Sequence, residues 1–385
     1  MKITDLEFIP VSVPYTHREV SSQVNRDGVT DIVVKATTDT GLVGWGESCS
    51  GANVESILET LRAMAPFALG RSPWESEALR AEFWHRGLWS FRKPTANFAF
   101  AGIDMALWDL CGKACQEPLY RLLGGKVRNE VNYFYYLARG STKEIREQCQ
   151  AGVSKGFSVF YLKVGIDIDA EMEMVRTMRE VIGQKGKIRL DANGAWTVNQ
   201  AVRNIARLDQ YQIDFVEQPV LQDPIASMQE VRARSQVALC ANEGLWTVED
   251  AYLRIKNRVA DVFCFSPYWV GSLAQFQALS RTAHFEGLHI CKHTHGELGI
   301  AAAAIQHVLL TLLNLVEGNQ QTATMMQDDL LKEGLPIAQG PRWGVPVGFG
   351  IGVDVDEDRL AHYHSLYRSQ GQYLPYDRAI LVKES

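Results

Sequence analysis

A chain of 385 residues, 46% hydrophobic and 22% charged, is long enough for one large domain or two ordinary ones and has a globular rather than disordered or fibrous composition. A formal net charge of −6 and an isoelectric point near 5.9 exclude the basic surface that nucleic acid or an anionic membrane selects. Seven cysteines without clustered spacing point to a reducing compartment rather than a disulfide framework, and Cys111 and Cys115, four apart in a helical pattern, lack the second pair or histidines of a zinc site.

The first stretch, MKITDLEFIPVSVPY, alternates like a strand and lacks the apolar core of a signal peptide, so a cytoplasmic protein is expected. TDIVVKATTDTGLVGWGES follows, with Asp39-Thr40-Gly41 as the turn of a hairpin. Residues 53–122 read as helices, including ANFAFAGIDMALWDLCGKACQEPLYRLLGG, whose apolar positions recur at helical intervals up to a closing Gly-Gly. Strands followed by helices predict an α+β domain over residues 1–125.

From Val131 the rhythm changes. Eight strand-like runs, VNYFYYLA, SVFYLKVG, KIRLDANG, IDFVEQP, VALCANEG, DVFCFSP, HICKHTH and NLVEGN, are mostly separated by helical patterns. They predict an α/β fold, a modified (β/α)8 TIM-like barrel over residues 126–340 beneath an α+β capping domain. An open doubly wound sheet would carry a Gly-rich turn after its first strand, and there is none. The longest apolar stretch, Leu298 to Val316, is interrupted by Gln306, His307, Thr311 and Asn314 and reads as a buried helix followed by a strand rather than a membrane span. Residues 341–385, with GVPVGFGIGVDVDED, read as a turn and edge strand returning to the capping domain.

Within the barrel, Asp191, Glu217 and Glu243 recur at intervals of 26 residues, about one strand, one helix and two loops, with Lys163 one strand earlier. Each sits late in its apolar run, on the face where barrel strands present their chemistry. Without a cation, three neighbouring carboxylates would raise one another's pKa values, so the pattern asks for a hard divalent ion, Mg²⁺ or Mn²⁺. Asn193 either points the same way or stabilises the turn before Gly194.

On these residues the sequence resembles the enolase superfamily, in the group of mandelate racemases and muconate lactonizing enzymes. GWGES, IDMALWDLCGK…LLGG, LKVG, DANGAW, VEQP and a Glu at the fifth strand occur in the family's order. The resemblance implies one divalent cation, usually Mg²⁺, held by Asp191, Glu217 and Glu243, and removal of the proton α to a substrate carboxylate with Lys163 as base. Relatives often carry Lys-x-Lys at the second strand; here the first position is Tyr161, so burial and the metal have to lower the pKa of Lys163, while Tyr161 hydrogen-bonds or packs. The sixth-strand position that holds a lysine or aspartate in relatives is Ser266, which with Tyr161 and Asn193 is expected to contact the substrate. His293 matches the seventh-strand histidine, ahead of His295, and Glu317 the eighth-strand acid that hydrogen-bonds the substrate carboxylate. Arg18, Arg26, Ser48 and the Ser50-Gly51-Ala52-Asn53 turn lie in the capping loops expected to cover the mouth.

Three functions fit this pattern. One is an isomerase that makes an enediolate and reprotonates it or closes or opens a ring. Another is a lyase of the acid-sugar dehydratase kind, with His293 as general acid. The third is a catalytically silent metal-binding relative. A small carboxylate is the expected substrate and a homo-oligomer the expected assembly, with neither nucleic acid nor membrane as partner.

Overall fold

The computed structural model describes residues 1–49, 53–87, 90–91 and 93–374. The alternating N-terminal stretch forms an antiparallel sheet of β1 (Ile3–Val20), β2 (Asn25–Thr38) and β3 (Val43–Cys49), in that order. Helices α1 (Val54–Ala68), α2 (Ser76–Gly87), α3 (Thr95–Cys115) and α4 (Leu119–Leu122) follow. The almost wholly buried α3 lies on β3. A Cβ on Gly46 would stand 1.9 Å from the Gly102 carbonyl oxygen, so the glycines of GWGES are there to let helix and strand backbones meet.

The next segment alternates strands with helices. They are β4 (Val131–Asn132), β5 (Tyr135–Leu137), α5 (Thr142–Ser154), β6 (Val159–Lys163), α6 (Ile168–Ile182), β7 (Lys187–Asp191), α7 (Val198–Leu208), β8 (Ile213–Glu217), α8 (Ile225–Arg234) and β9 (Ala238–Ala241). Then come α9 (Val248–Lys256), β10 (Val262–Phe265), α10 (Pro267–Val270), α11 (Leu273–Phe285), β11 (His289–Lys292) and α12 (Gly299–Leu309). Strands β5 to β11 form one seven-stranded parallel sheet in chain order, curled as a barrel wall. Helix α12 is buried throughout, and no described helix is long and apolar enough to cross a membrane.

The eighth run departs from the expected strand. Leu315 bridges Ile290 and Asn319 bridges Tyr133, which closes the wall by single contacts. Val316 N–H donates to the Ile290 carbonyl, but the next bond, to Lys292, comes from Gln320 rather than from two residues on. The segment therefore bulges at Glu317 and Gly318, and Gly318 takes a φ of 67°. The C-terminal stretch differs too. β12 (Arg342–Trp343) pairs antiparallel with β4, and the glycine-rich segment is a loop tied to α3 and α4 through Gly350 and Ile351, not an edge strand. The chain then returns to β1 as helix α13 (Glu357–Gln370).

Candidate active site

The ladder places Lys163 beside Asp191 and Asp191 beside Glu217, so the ends of β6, β7 and β8 stand level. Side chains alternate across a strand, so Tyr161 and Lys163 share the lumen face. Both reach the same atom: Lys163 Nζ donates to Asp191 Oδ2 at 2.6 Å and the Tyr161 hydroxyl donates to it at 2.5 Å. Asn193 N–H donates to Asp191 Oδ1 at 2.8 Å. Glu217 is buried and accepts from Gln320 Nε2 at 3.0 and 2.7 Å. Glu243 lies beyond the end of β9, where its Oε1 accepts from Asn193 Nδ2 at 2.9 Å. Asn193 thus fills both expected roles, turn and ligand to an acid.

The turns are strained where they carry these groups. Asn193 (φ 46°) and Gln218 (φ 35°) are non-glycine residues in the left-handed region, one two residues after Asp191 and the other next to Glu217. Side-chain bonds offset that cost: Gln218 donates to the Val220 carbonyl and accepts from Asn242 N–H.

The three carboxylates fit a divalent cation. All donors are hard oxygens, and Glu243 Oε2 and Asn193 Oδ1 are buried without hydrogen-bond partners. Burial and then Asp191 push the Glu243 carboxyl up to about 7, and the same two causes raise Glu217 well above the usual range. The site is short of positive charge despite Lys163.

The lowering expected of Lys163 was to come from burial and the metal together, and the chain alone supplies only the first. Burial works in that direction, but Asp191, Glu19 and Glu217 together outweigh it and hold the ammonium above its ordinary range. Tyr161 both packs, stacked on Phe134 at 4.5 Å, and hydrogen-bonds.

Across the lumen His293 is buried, its ring 4.5 Å from that of Trp269 and its Nδ1 3.5 Å from the Tyr268 hydroxyl. Burial, followed by His295, Lys163, Lys292 and Arg26, lowers its pKa far below that of a free imidazole. Trp269 Nε1 donates to His295 Nε2 at 2.5 Å, so a neutral His295 carries its proton on Nδ1, and burial lowers its pKa to about 3.

Two expected substrate contacts lie elsewhere. Ser266 donates to the His293 carbonyl at 2.5 Å and ties the sixth strand to the seventh. Glu317, thrown outward by the bulge, leaves 66% of its side chain exposed and meets Lys187, which opens the strand that Asp191 ends. That is four residues, about 13 Å, below the mouth. The position at the mouth is Gln320, and the consecutive amides of Gln320 and Gln321 after an apolar run were its sequence signal. Below the acids, Arg189 crosses the lumen and donates to Asp214 and to the carbonyls of Glu317 and Gly318.

The cap brings in the expected Arg26 together with groups that the sequence did not single out. Glu19 and Arg26 form a buried ion pair at 2.7 Å, and Arg26 donates to the His295 carbonyl. Against its burial, Arg26 and Lys163 hold Glu19 below the usual carboxylate range. Ser22 donates to the Ala192 carbonyl and Gln23 to that of Asn193, which docks the β1–β2 loop on the Asp191 turn. The adjoining Tyr15 and Thr322 hydroxyls are buried and face one another. Among the expected cap residues, Arg18 pairs with Asp27 at the surface, Ser48 bonds the Ala99 carbonyl and Asn53 caps α1. Ser50, Gly51 and Ala52 lie outside the described residues.

A lysine and three carboxylates on the C-terminal ends of parallel barrel strands, under an α+β cap, define the enolase class of barrel proteins. Residues 12–124 match the N-terminal domain of the mandelate racemase and muconate lactonizing enzymes, and residues 144–359 match the enolase C-terminal domain-like family. The chain belongs to the mandelate racemase/muconate lactonizing enzyme family of the enolase superfamily. It is 27% identical over 318 residues to an N-succinyl-L-Arg/Lys racemase of Bacillus cereus, covering 80% of this chain and 84% of the relative. It is 25% identical over 337 residues to an arabinonate dehydratase of Saccharolobus solfataricus, covering 86% and 90%. Among solved structures, an isomerase from Streptomyces coelicolor A3(2) superposes with a TM-score of 0.84 at 30% identity, covering 96% of this chain and 99% of that one.

Proposed function

We propose that this protein is a divalent-metal-dependent isomerase, a racemase, epimerase or cycloisomerase, that removes the proton α to a substrate carboxylate. The register that sets Lys163 beside Asp191 and Asp191 beside Glu217 carries this reading. Asp191, Glu217 and Glu243 would hold the cation, Mg²⁺ as is general in the superfamily or Mn²⁺ in its place. When bound, that ion offsets the charge of the three acids and the charge that develops on the substrate carboxylate as its α-proton leaves.

Lys163 takes the α-proton. It is free to do so once the charge of Asp191, which now holds its ammonium, is shared elsewhere. Tyr161, wedged on Phe134, keeps Asp191 Oδ2 in place with its hydroxyl. His293 serves the opposite face. Burial and four cationic or imidazole neighbours favour its neutral ring, which takes the α-proton of the opposite configuration while the Lys163 ammonium supplies a proton from its own side. Gln320 steadies Glu217, and the Glu19–Arg26 pair, Tyr15 and Thr322 face the substrate from the mouth. In this reading residues 1–125 cap the site, 126–340 carry it, 341–385 return to the cap, and the chain assembles as a homo-oligomer.

The test is proton exchange in deuterium oxide with Mg²⁺, over N-acylated amino acids, dipeptides, acid sugars and lactones. Deuterium at the α-carbon without loss of water is expected. Release of a 2-keto acid would make the enzyme a dehydratase, the activity that the arabinonate dehydratase relative keeps in view.

A further inference from the structure

Directly under the three acids the barrel lumen is lined by thiols. Cys240, Cys264 and Cys291 lie on the consecutive strands β9, β10 and β11, all fully buried, and with Phe215 and Val262 they form a cluster of their own, separate from the main core. Barrel interiors are ordinarily filled by branched aliphatic side chains, so three sulfurs together are a departure. Cys264 stands opposite Cys291 in the ladder. A carboxylate oxygen of Glu217 and the Sγ atoms of Cys240 and Cys264 all lie within 4.8 Å of one another. In a tetrahedral site each sulfur is about 2.3 Å from zinc, which sets ligand sulfurs about 3.8 Å apart. The three atoms therefore stand within about 1 Å of that spacing. The thiols hydrogen-bond one another, Cys264 with Cys240 and with Cys291, and their other contacts are long: Cys240 and Cys291 each reach a carbonyl of the adjoining residue at 3.8 Å, and Cys291 Sγ lies 4.0 Å from the Gly318 carbonyl and from Arg189 Nη1.

We infer that Glu217, Cys240 and Cys264, with Cys291 beside them, form a second cation site, for a thiophilic ion such as Zn²⁺ or Cd²⁺. On binding, each ligating thiol releases its proton to water as its sulfur–metal bond forms, so affinity rises with pH. Sulfur ligands select such ions over Mg²⁺, and oxygen ligands the reverse. Because Glu217 belongs to both ligand sets, a soft ion in the lower site takes a ligand from the upper one and blocks the enzyme; this last consequence rests on the function proposed above.

Titration of the full chain with Cd²⁺, in buffer containing Mg²⁺, reads the site through the ultraviolet sulfur-to-cadmium charge-transfer band, with no dependence on activity. One equivalent is expected to saturate the band. Cys240→Ser/Cys264→Ser is expected to remove it, and Cys115→Ala, at the exposed thiol, to keep it. Proton release from the wild-type chain makes the same reading without a variant: each Cd²⁺ bound should free about two protons, one from each ligating thiol. No band, or a band that Cys115→Ala removes, overturns the inference. A saturable lumen band that leaves α-proton exchange intact supports the thiol site and counts against Glu217 as a Mg²⁺ ligand, so the two proposals fail separately.

Discussion

Asp104, in the middle of the capping helix α3, accepts the backbone N–H of Leu273 at 2.8 Å, so a carboxylate of the cap holds the first turn of a barrel helix. Ser76 donates to its other oxygen. The group is fully buried, and burial pushes its pKa from 3.8 to about 7. The folded chain then keeps a proton that the unfolded chain releases. This group's contribution to stability therefore falls as the pH rises across that window, by up to about 4 kcal/mol. Asp104→Asn keeps an acceptor for Leu273 and removes the titration. Its urea midpoint should vary less than the wild type's between pH 5 and about 7; an unchanged slope would show that the proton is held elsewhere.

Lys163→Ala should lower α-proton exchange by about 10³-fold, the usual worth of a positioned base. Lys163→Arg should not rescue it, because a guanidinium does not give up its proton. Exchange within a few-fold of wild type in the alanine variant would remove Lys163 from its assigned role.

Chelation should abolish exchange, and restoring Mg²⁺ should return it. The ion should also stabilise the fold, by about 2.7 kcal/mol at a hundredfold excess over its dissociation constant. In Glu243→Gln that shift in the denaturation midpoint should shrink, since the variant loses a charged ligand with a buried, unpartnered oxygen. A full shift in this variant would place the ion elsewhere.

Tyr15→Phe removes a buried hydroxyl whose neighbour is the Thr322 hydroxyl. Stability should stay within about 1 kcal/mol of wild type, the net worth of one hydrogen bond. If the hydroxyl serves the substrate, KM rises in the same variant while kcat changes little. A variant less stable than wild type with unchanged KM would mean that the hydroxyl is structural.

The upper half of the site was legible because a regular unit produced it. One strand, one helix and two loops repeat at constant length through β7, β8 and β9, so counting residues from Asp191 to Glu217 to Glu243 also counts positions around the wall. Glu317, assigned by resemblance to the eighth strand, lies away from the mouth. The eighth run inserts two residues at a glycine in the left-handed region, and a bulge that shifts register leaves no mark on hydrophobic alternation. The charge around Lys163 was legible only in part. Asp191, its largest partner, was named in the sequence, whereas Glu19 lies more than a hundred residues earlier and on another sheet, and its approach to the mouth only the folded β1–β2 loop defines. Ser266 could be numbered correctly and still not be seen to turn toward a carbonyl on the next strand.

Arg189 fills the base of the barrel with a fully buried guanidinium fastened to the carbonyls that close the wall. At the other end, Ser22 and Gln23 fasten the β1–β2 loop to the turn that carries Asp191 and Asn193. The acids thus lie between two sets of side chains that both end on barrel carbonyls, one guanidinium from below and one cap loop from above, so the depth of the site is fixed at each end by backbone rather than by another side chain.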